Sequence, residues 1–129
     1  MERPILIIED NEQNRYLATY LLEQHGYRVV SAPDGPTGIL EARRADAMMI
    51  LLDIQLPLMD GYAVARALRE NPALRDTPII AVTSYAMPGD REKALEAGCT
   101  GYIEKPIDPA TFLASLLAYG LPPRPGAPA

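Results

Sequence analysis

The segment ILLDIQLPLMDG, residues 50–61, decides the fold of this chain. It runs from three aliphatic residues directly into a carboxylate, Asp53, and then turns through Pro57 and Gly61. A continuous apolar run of this length is typical of a strand that is covered on both faces, as in a parallel sheet. A charge at the end of such a strand needs an explanation, and the explanation depends on which other side chains reach the same place.

Four further apolar segments of strand length alternate with helix-length amphipathic segments. The five predicted strands are residues 4–9, 27–32, 47–53, 78–84 and 101–105. Helices are predicted after each strand, and the first has a stripe at helical spacing formed by Asn14, Leu17, Ala18, Leu21 and His25. Asp60 is a candidate N-cap of the third helix, and Asp108-Pro109 is expected to cap and open the last, which runs to about Tyr119. The alternation predicts an α/β fold with a parallel five-stranded sheet between two layers of helices.

Length and composition are those of one folded domain. The chain has 129 residues, of which 48% are hydrophobic and 22% charged, and its net charge of -5 argues against a nucleic-acid-binding surface. A single cysteine, Cys99, excludes a disulfide framework and suits a reducing compartment. No apolar stretch approaches the length of a membrane span. We therefore expect a cytoplasmic protein without nucleic-acid or membrane partners, comprising a domain over residues 1–120 and a proline-rich, disordered tail over 121–129.

Four of the five strands deliver polar side chains at their carboxyl ends, which we call the carboxyl edge of the sheet. The first strand ends in Glu9 and Asp10, the third in Asp53, the fourth in Thr83 and Ser84, and the fifth in Lys105. The second strand ends without a polar side chain, which suits an edge position. With the strand order 2-1-3-4-5, the order reverses between the first and third strands, where ligands bind in such sheets. The three carboxylates would then lie together.

Three clustered carboxylates repel one another, and a hard divalent cation such as Mg²⁺, or Mn²⁺ in its place, would relieve that repulsion. A phosphoryl group on one carboxylate would meet the cation on one side, the ammonium of Lys105 on another and the hydroxyl of Thr83 on a third. Taken singly, Asp10, alone or with Asn11, reads as a helix N-cap, Asp53 as a turn residue, Thr83 as strand packing and Lys105 as a solvated charge. The presence of all four at different strand ends favours a phosphoryl site.

The sequence resembles the receiver domains of bacterial two-component response regulators. The resemblance rests on the segments ILIIEDN, LLDIQLPLMDG, PIIAVTSYAMPGD and GYIEKPI, which occur in order between residues 4 and about 119. The middle two are similar in particular to those of single-domain cell-division-type regulators and hybrid-kinase receivers. The resemblance implies the flavodoxin-like (βα)5 sandwich. It also implies a monomeric or weakly dimeric switch, not an enzyme, whose phosphoryl donor is a phosphohistidine on a histidine kinase or phosphotransfer protein.

The resemblance further implies roles for individual residues. Asp53 would be the phosphoacceptor, and Lys105 would bind the phosphoryl group. Mg²⁺ would be held by Glu9, Asp10, Asp53 and the backbone carbonyl of Gln55.

Other implied roles concern switching and rate. Thr83 and Tyr102 would form the switch, and Gln55 and Tyr85 would tune the rate of hydrolysis. The peptide bond of Lys105-Pro106 is expected to be cis.

The output surface implied by the resemblance is built from the fourth helix, the fifth strand and the fifth helix. It would centre on Tyr85, Ala94, Tyr102 and Phe112, and a downstream protein would bind there.

Three other features admit simpler interpretations. His25, at the end of the first helical stripe, is expected to have a capping or part-buried structural role. Cys99 is expected to be a small buried residue. Tyr16 and Tyr20, four residues apart, would either pack partially with their hydroxyls in water or form a contact patch for the phosphoryl donor.

Two other classes of function would place different demands on these residues. A binding module that is read without phosphate would not need Asp10, Asp53, Thr83 and Lys105 to be intact. A flavin carrier on the same sheet would need a phosphate-binding loop after the first strand, where acids stand instead. A phosphatase using an aspartate nucleophile would need a second acid two residues later, and Gln55 is not one.

Overall fold

The structure, a computed structural model, describes residues 3–84 and 87–124. The strands are β1 (Ile5–Ile8), β2 (Val29–Ala32), β3 (Met49–Asp53), β4 (Ile79–Thr83) and β5 (Gly101–Glu104). The helices are α1 (Glu12–Gln24), α2 (Gly35–Ala45), α3 (Gly61–Arg69), α4 (Asp90–Ala97) and α5 (Phe112–Ala118), with a 3₁₀ turn at Pro72–Leu74. Within these ranges, no helix is both long and apolar enough to cross a bilayer.

The five strands form one parallel sheet in the order β2-β1-β3-β4-β5, as predicted. Helices cover both faces, because one buried cluster includes residues of α2, α3 and α4 and the other includes residues of α1 and α5. The predicted three-layer α/β fold is therefore confirmed.

The continuous apolar strands are explained by the two cores. In β1, Leu6 and Ile8 point into the cluster under α2, α3 and α4, whereas Ile5 and Ile7 point into the cluster under α1 and α5. All residues of β1, β3 and β4 are buried, while β2 at the sheet edge buries only Ala32. Each fully buried Ile or Leu contributes about 1.5–3 kcal/mol, so the three central strands carry much of the stability.

The predicted stripe of α1 was partly wrong. The fully buried residues are Ala18 and Leu22, one turn apart, whereas the predicted Leu17 and Leu21 are only half-buried and lie at the margin of the packed face. His25 is the C-cap of this helix, in agreement with the structural interpretation of that residue.

The last helix begins at Phe112 and not at Pro109. Asp108 is therefore not its N-cap. The Asp108 carboxylate instead accepts the N–H of Ala110 at 2.9 Å, and the Asp108 carbonyl accepts the N–H groups of Thr111 and Phe112. Asp108 thus organises a turn that precedes the helix.

The first residues assigned to the tail pack with the domain. Leu121 is only 2% exposed and belongs to the cluster under α1 and α5. The hydroxyl of Tyr27 donates a hydrogen bond of 2.6 Å to the carbonyl of Pro122. The folded unit therefore continues past residue 120. Residues 125–129 of the predicted tail lie outside the described part of the chain.

Candidate functional site

Three carboxylates meet at the carboxyl edge of the sheet, between β1 and β3. One oxygen from each of Glu9, Asp10 and Asp53 can be chosen so that all three lie within 4.8 Å of one another. The pairing of Ile8 with Leu52 explains this, because the residues that follow leave adjacent strands at the same level. Glu9 and Asp53 are buried, and Asp10 is exposed. An oxygen-only donor set that opens to solvent on one side fits a hard divalent cation that keeps part of its water shell.

Asp10 is not needed to cap α1. The N-cap is Asn11, whose side-chain oxygen accepts the N–H of Asn14 at 2.9 Å. Glu9 is fixed from two sides, since its Oε2 accepts the N–H of Asn11 at 3.1 Å and its carbonyl accepts a hydrogen bond from Arg15 at 2.8 Å. The simple capping interpretation of Asp10 is therefore wrong, and its carboxylate faces the cluster.

Lys105 reaches the same cluster from the end of β5. Its Nζ lies 2.6 Å from Oε1 of Glu9 and 3.4 Å from Oδ2 of Asp53, and its side chain is only 10% exposed. The backbone N–H of Lys105 donates to the carbonyl of Thr83 at 2.7 Å. The Lys105-Pro106 peptide bond is cis, as the resemblance implied. One ammonium group thus bridges two of the three carboxylates.

The pKa of Glu9 is raised from 4.5 to about 7, chiefly by burial and in addition by a hydrogen bond with Asp53 and the charge of Asp53, against the opposing effects of Lys105 and the Asn11 N–H. Near neutral pH, Glu9 is therefore protonated for part of the time. A cation that binds among the carboxylates must displace that proton.

Asp53 is also bonded to the loop that follows it. Its Oδ1 accepts the N–H of Gln55 at 2.9 Å, and Oε1 of Gln55 in turn accepts the N–H of Ser84 at 3.3 Å. Sequence reasoning placed Gln55 beside the site but missed this side-chain contact, for which the sequence carries no periodic signal. Thr83 ends β4 and is only 3% exposed.

Tyr102 lies in β5, opposite Ala81 of β4, while Thr83 pairs with Glu104. The two predicted switch residues are thus on neighbouring strands, two register positions apart. Tyr102 is half-buried. Burial is the largest cause of the raised pKa of its hydroxyl, and the nearby charges of Asp90 and Glu104 also raise it.

The expected output surface needs correction. Ala94 is fully buried and Phe112 is only 3% exposed, so neither can contact a partner. Tyr85 lies outside the described residues. One accessible part of this face is an open groove lined by Met87, Pro88, Gly89, Arg91, Glu92, Tyr102 and Glu104.

The fold and the site together define a class of signalling domain. The sequence profile of the response regulator receiver domain matches residues 5–117, and the chain belongs to this family. It is 39% identical over 119 residues to the polar-differentiation response regulator DivK of Brucella ovis, a match that covers 92% of this chain and 97% of DivK.

Two solved structures extend the comparison. The chemotaxis protein CheY4 of Vibrio cholerae superposes with a TM-score of 0.87 at 28% identity, covering 92% of this chain and 99% of CheY4. The receiver domain of the sensor histidine kinase PA1611 from Pseudomonas aeruginosa has a TM-score of 0.83 at 37% identity, covering 92% and 98% of the two chains. That structure has a magnesium ion coordinated in its active-site cleft.

Membership of the receiver-domain family implies several general properties. Receiver domains are phosphorylated on an aspartate, bind Mg²⁺ at an acidic site, and interact with histidine kinases or phosphotransfer proteins. They act as signalling switches and are generally not enzymes that turn over an external substrate. This chain has an acidic cluster of this kind, formed by Glu9, Asp10 and Asp53.

Proposed function

We propose that this chain is a cytoplasmic switch, monomeric or weakly dimeric, that accepts a phosphoryl group on Asp53 from the phosphohistidine of a histidine kinase or phosphotransfer protein. It catalyses only its own phosphorylation and dephosphorylation, and it signals through protein contacts. The observation that carries the proposal is the convergence of three carboxylates and one ammonium group at the carboxyl edge.

In the transfer step, a carboxylate oxygen of Asp53 attacks phosphorus, an O–P bond forms and the P–N bond to histidine breaks. The leaving imidazole takes the electron pair of that bond and picks up a proton. Lys105 is already 3.4 Å from Oδ2 of Asp53 and neutralises charge that develops on the phosphoryl oxygens. The hydroxyl of Thr83 donates a further hydrogen bond to the phosphoryl group.

Mg²⁺, or Mn²⁺ in its place, would be held by Glu9, Asp10, Asp53 and the backbone carbonyl of Gln55, and when bound it supplies positive charge to the phosphoryl oxygens. In the absence of the cation, Lys105 and a proton on Glu9 neutralise part of the charge of the carboxylate cluster. Gln55 and Tyr85, two positions after Asp53 and Thr83 in the sequence, tune how long the phosphoryl group persists.

Switching follows from the positions of Thr83 and Tyr102 on adjacent strands. Recruitment of the Thr83 hydroxyl by the phosphoryl group shifts a pre-existing equilibrium of the half-buried Tyr102. The change is read on the surface of α4, β5 and α5, through the accessible groove that contains Met87 and Tyr102. A downstream protein binds there.

A mass measurement tests the proposal. Wild-type protein incubated with Mg²⁺ and acetyl phosphate should gain one phosphoryl group, and chelation of the metal or the substitution Asp53→Asn should abolish the gain. Asp76→Asn is the matched control, because Asp76 is an exposed acid at the opposite edge of the sheet. A gain that persists in Asp53→Asn would refute Asp53 as the acceptor. No gain in the wild type would refute the proposal and leave a phosphate-independent binding module as the alternative.

A further inference from the structure

The loop between β3 and α3 is closed tightly at its base, directly after Asp53. The N–H of Gly61 donates to the carbonyl of Ile54 at 2.9 Å, and a Cβ at Gly61 would lie only 2.5 Å from Cα of Ile54. The carboxylate of Asp60 caps α3 by accepting the N–H of Ala63 at 3.0 Å. Both ends of the loop are therefore held in place beside the carboxylate cluster.

Leu58, in the middle of this loop, has a backbone conformation that leucine rarely adopts. Its φ is +69°, and the N–H of Met59 donates to the carbonyl of Pro57 at 2.7 Å, so Leu58 is the central residue of a γ-turn. A γ-turn with positive φ is strained, and a side chain with a Cβ adds to the strain. In the ranges that the structure describes, one other non-glycine residue has a positive φ. It is Asp46, the C-cap of α2, a residue type that tolerates this conformation.

The side chain of Leu58 points away from the protein. It is 84% exposed, the highest value for a large apolar side chain in the described ranges. Leu56 and Met59 of the same loop pack against the buried cluster under α2, α3 and α4, whereas Leu58 belongs to neither buried cluster. Exposure alone would mean little, because single exposed apolar side chains are common. Here it is combined with backbone strain, and both are unfavourable for the free protein.

A protein that phosphorylates Asp53 directly must lie against this loop. Asp53 is only 3% exposed, and during transfer one phosphorus atom must be within bonding reach of both the donor imidazole and the Asp53 carboxylate. The donor surface around its phosphohistidine is therefore brought against the loops at the carboxyl edge. The next two most exposed large apolar side chains, Tyr16 and Met87, lie in the second turn of α1 and just before α4, at the same end of the molecule. An apolar rim of this kind fits an apolar patch on a protein partner.

We propose that Leu58 is a specificity-determining residue of the phosphotransfer reaction, whose side chain packs against an apolar patch beside the phosphohistidine of the donor protein. The strain and the exposure, which are unfavourable in the free protein, are then offset by burial of the side chain in the complex. The inference rests on the proposed function and adds to it a contact that a small phosphoryl donor does not make.

The test compares Leu58→Asn with Leu58→Met in the full chain. Asparagine tolerates a positive φ and removes the apolar side chain, whereas methionine keeps an apolar side chain of similar size. The probe is whichever autophosphorylated histidine kinase or phosphotransfer protein of the same organism phosphorylates the wild type fastest. With this donor, kcat/KM should fall about five- to tenfold in Leu58→Asn, chiefly through a higher KM, and should recover in Leu58→Met.

Two comparisons separate a docking contact from an effect on the acceptor itself. Phosphorylation by acetyl phosphate should be the same in the wild type and in both variants of Leu58. Leu40→Asn, which changes an exposed leucine of α2, is the matched control and should leave transfer from either donor unchanged. The melting temperature of Leu58→Asn should equal or exceed that of the wild type, because the strain is relieved and no buried contact is lost.

Four results would overturn the inference and leave the proposed function standing. The first is an unchanged rate of transfer from the protein donor to Leu58→Asn, and the second is an equal slowing with acetyl phosphate. The third is a melting temperature lowered by more than about 3 °C, which would give Leu58 a structural role. The fourth is a wild-type dimer that Leu58→Asn dissociates, which would assign the side chain to a second copy of this chain. Failure of the wild type to accept a phosphoryl group from any of the phosphohistidine proteins overturns both.

Discussion

The ammonium group of Lys105 lies closer to Glu9 than to Asp53, at 2.6 Å from Oε1 of Glu9 against 3.4 Å from Oδ2 of Asp53. In the unphosphorylated protein this lysine therefore neutralises a carboxylate of the proposed cation site more than it neutralises the acceptor. It competes with a divalent cation for Glu9, and it must turn toward Asp53 to serve a phosphoryl group there.

Replacing Lys105 should separate metal binding from phosphorylation. In Lys105→Met we expect Mg²⁺ to bind more tightly by roughly 1–2 kcal/mol, because a positive charge next to the site is removed. Phosphorylation by acetyl phosphate should be lost. Isothermal titration calorimetry well above the pKa of Glu9 measures the affinity, with Lys93→Met, an exposed lysine of α4, as the control. Unchanged or weaker Mg²⁺ binding would contradict the competition.

The stability of the metal-free protein should fall as pH rises, because burial raises the pKa of Glu9 from 4.5 to about 7. The folded state holds the proton more tightly than the unfolded chain does. The favourable contribution is therefore complete below about pH 4.5 and is lost as the pH rises through about 7, by about 2–3 kcal/mol. Urea unfolding with a chelator present measures the loss. Glu9→Gln should flatten this pH dependence, whereas Glu12→Gln, on the exposed side of α1, should not.

Arg69 should prove a major source of stability. It lies at the end of α3 and donates hydrogen bonds to the carbonyls of Leu74, Thr77 and Gly98 at 2.6, 2.8 and 2.8 Å. Arg69→Met keeps the aliphatic part of the side chain but leaves these carbonyls without their donor, at an expected cost of about 2–4 kcal/mol in urea unfolding. Arg66→Met, at an exposed position of the same helix, should change stability by less than about 0.5 kcal/mol. Equal effects of the two substitutions would rule out the special role of Arg69.

The segment after α5 should be needed for full stability. A chain that ends at Gly120 should be less stable than one that ends at Arg124 by about 2–3 kcal/mol, because it loses the burial of Leu121 and the hydrogen bond from Tyr27 to Pro122. Thermal unfolding of the two chains measures the difference. Tyr27→Phe in the longer chain should lose only the hydrogen-bond part, about 1 kcal/mol. Identical melting temperatures for the two chain lengths would contradict the prediction.

Tyr16 and Tyr20 should affect phosphotransfer from a protein donor only. They are 72% and 47% exposed, and their rings stack on the surface of α1 with centroids 6.2 Å apart. Replacing both with serine should slow transfer from a phosphohistidine protein by about tenfold, as expected for loss of an aromatic contact patch. Phosphorylation by acetyl phosphate should not change.

The control for this pair is Leu40→Ser, which removes an exposed apolar side chain from α2 on the other face of the sheet. If the tyrosine variant slowed acetyl phosphate equally, the effect would be structural and the contact patch would be refuted.

The strands and the polar residues at their carboxyl ends could be predicted because both follow from local chemistry, whereas the strand order was an assumption that the family resemblance supported. Apolar runs predict the strands, and the polar residues that follow each run lie at the carboxyl edge of the sheet. In the structure Glu9, Asp10, Asp53 and Lys105 lie together there, as expected. The roles of these residues remain predictions that the experiments above test.

Contacts that depend on the path of a loop could not be predicted in the same way. Arg69 at the end of a helix reads in the sequence as a solvated charge, yet its guanidinium binds a carbonyl 29 residues away. Leu121, in a proline-rich segment, reads as tail but is buried. In both cases the partner is distant in sequence and no hydrophobic periodicity signals the contact.

The two ends of α4 are held very differently. At its C-terminal end, the carbonyl of Gly98 is bound by Arg69, and a Cβ at Gly98 would lie only 2.6 Å from Cγ of Arg69. At its N-terminal end, a Cβ at Gly89 would meet nothing within 4 Å. The anchored end of this helix of about 12 Å is therefore its C-terminal end. We expect any movement of α4 to be larger at its N-terminal end, next to the exposed Met87, than at Gly98.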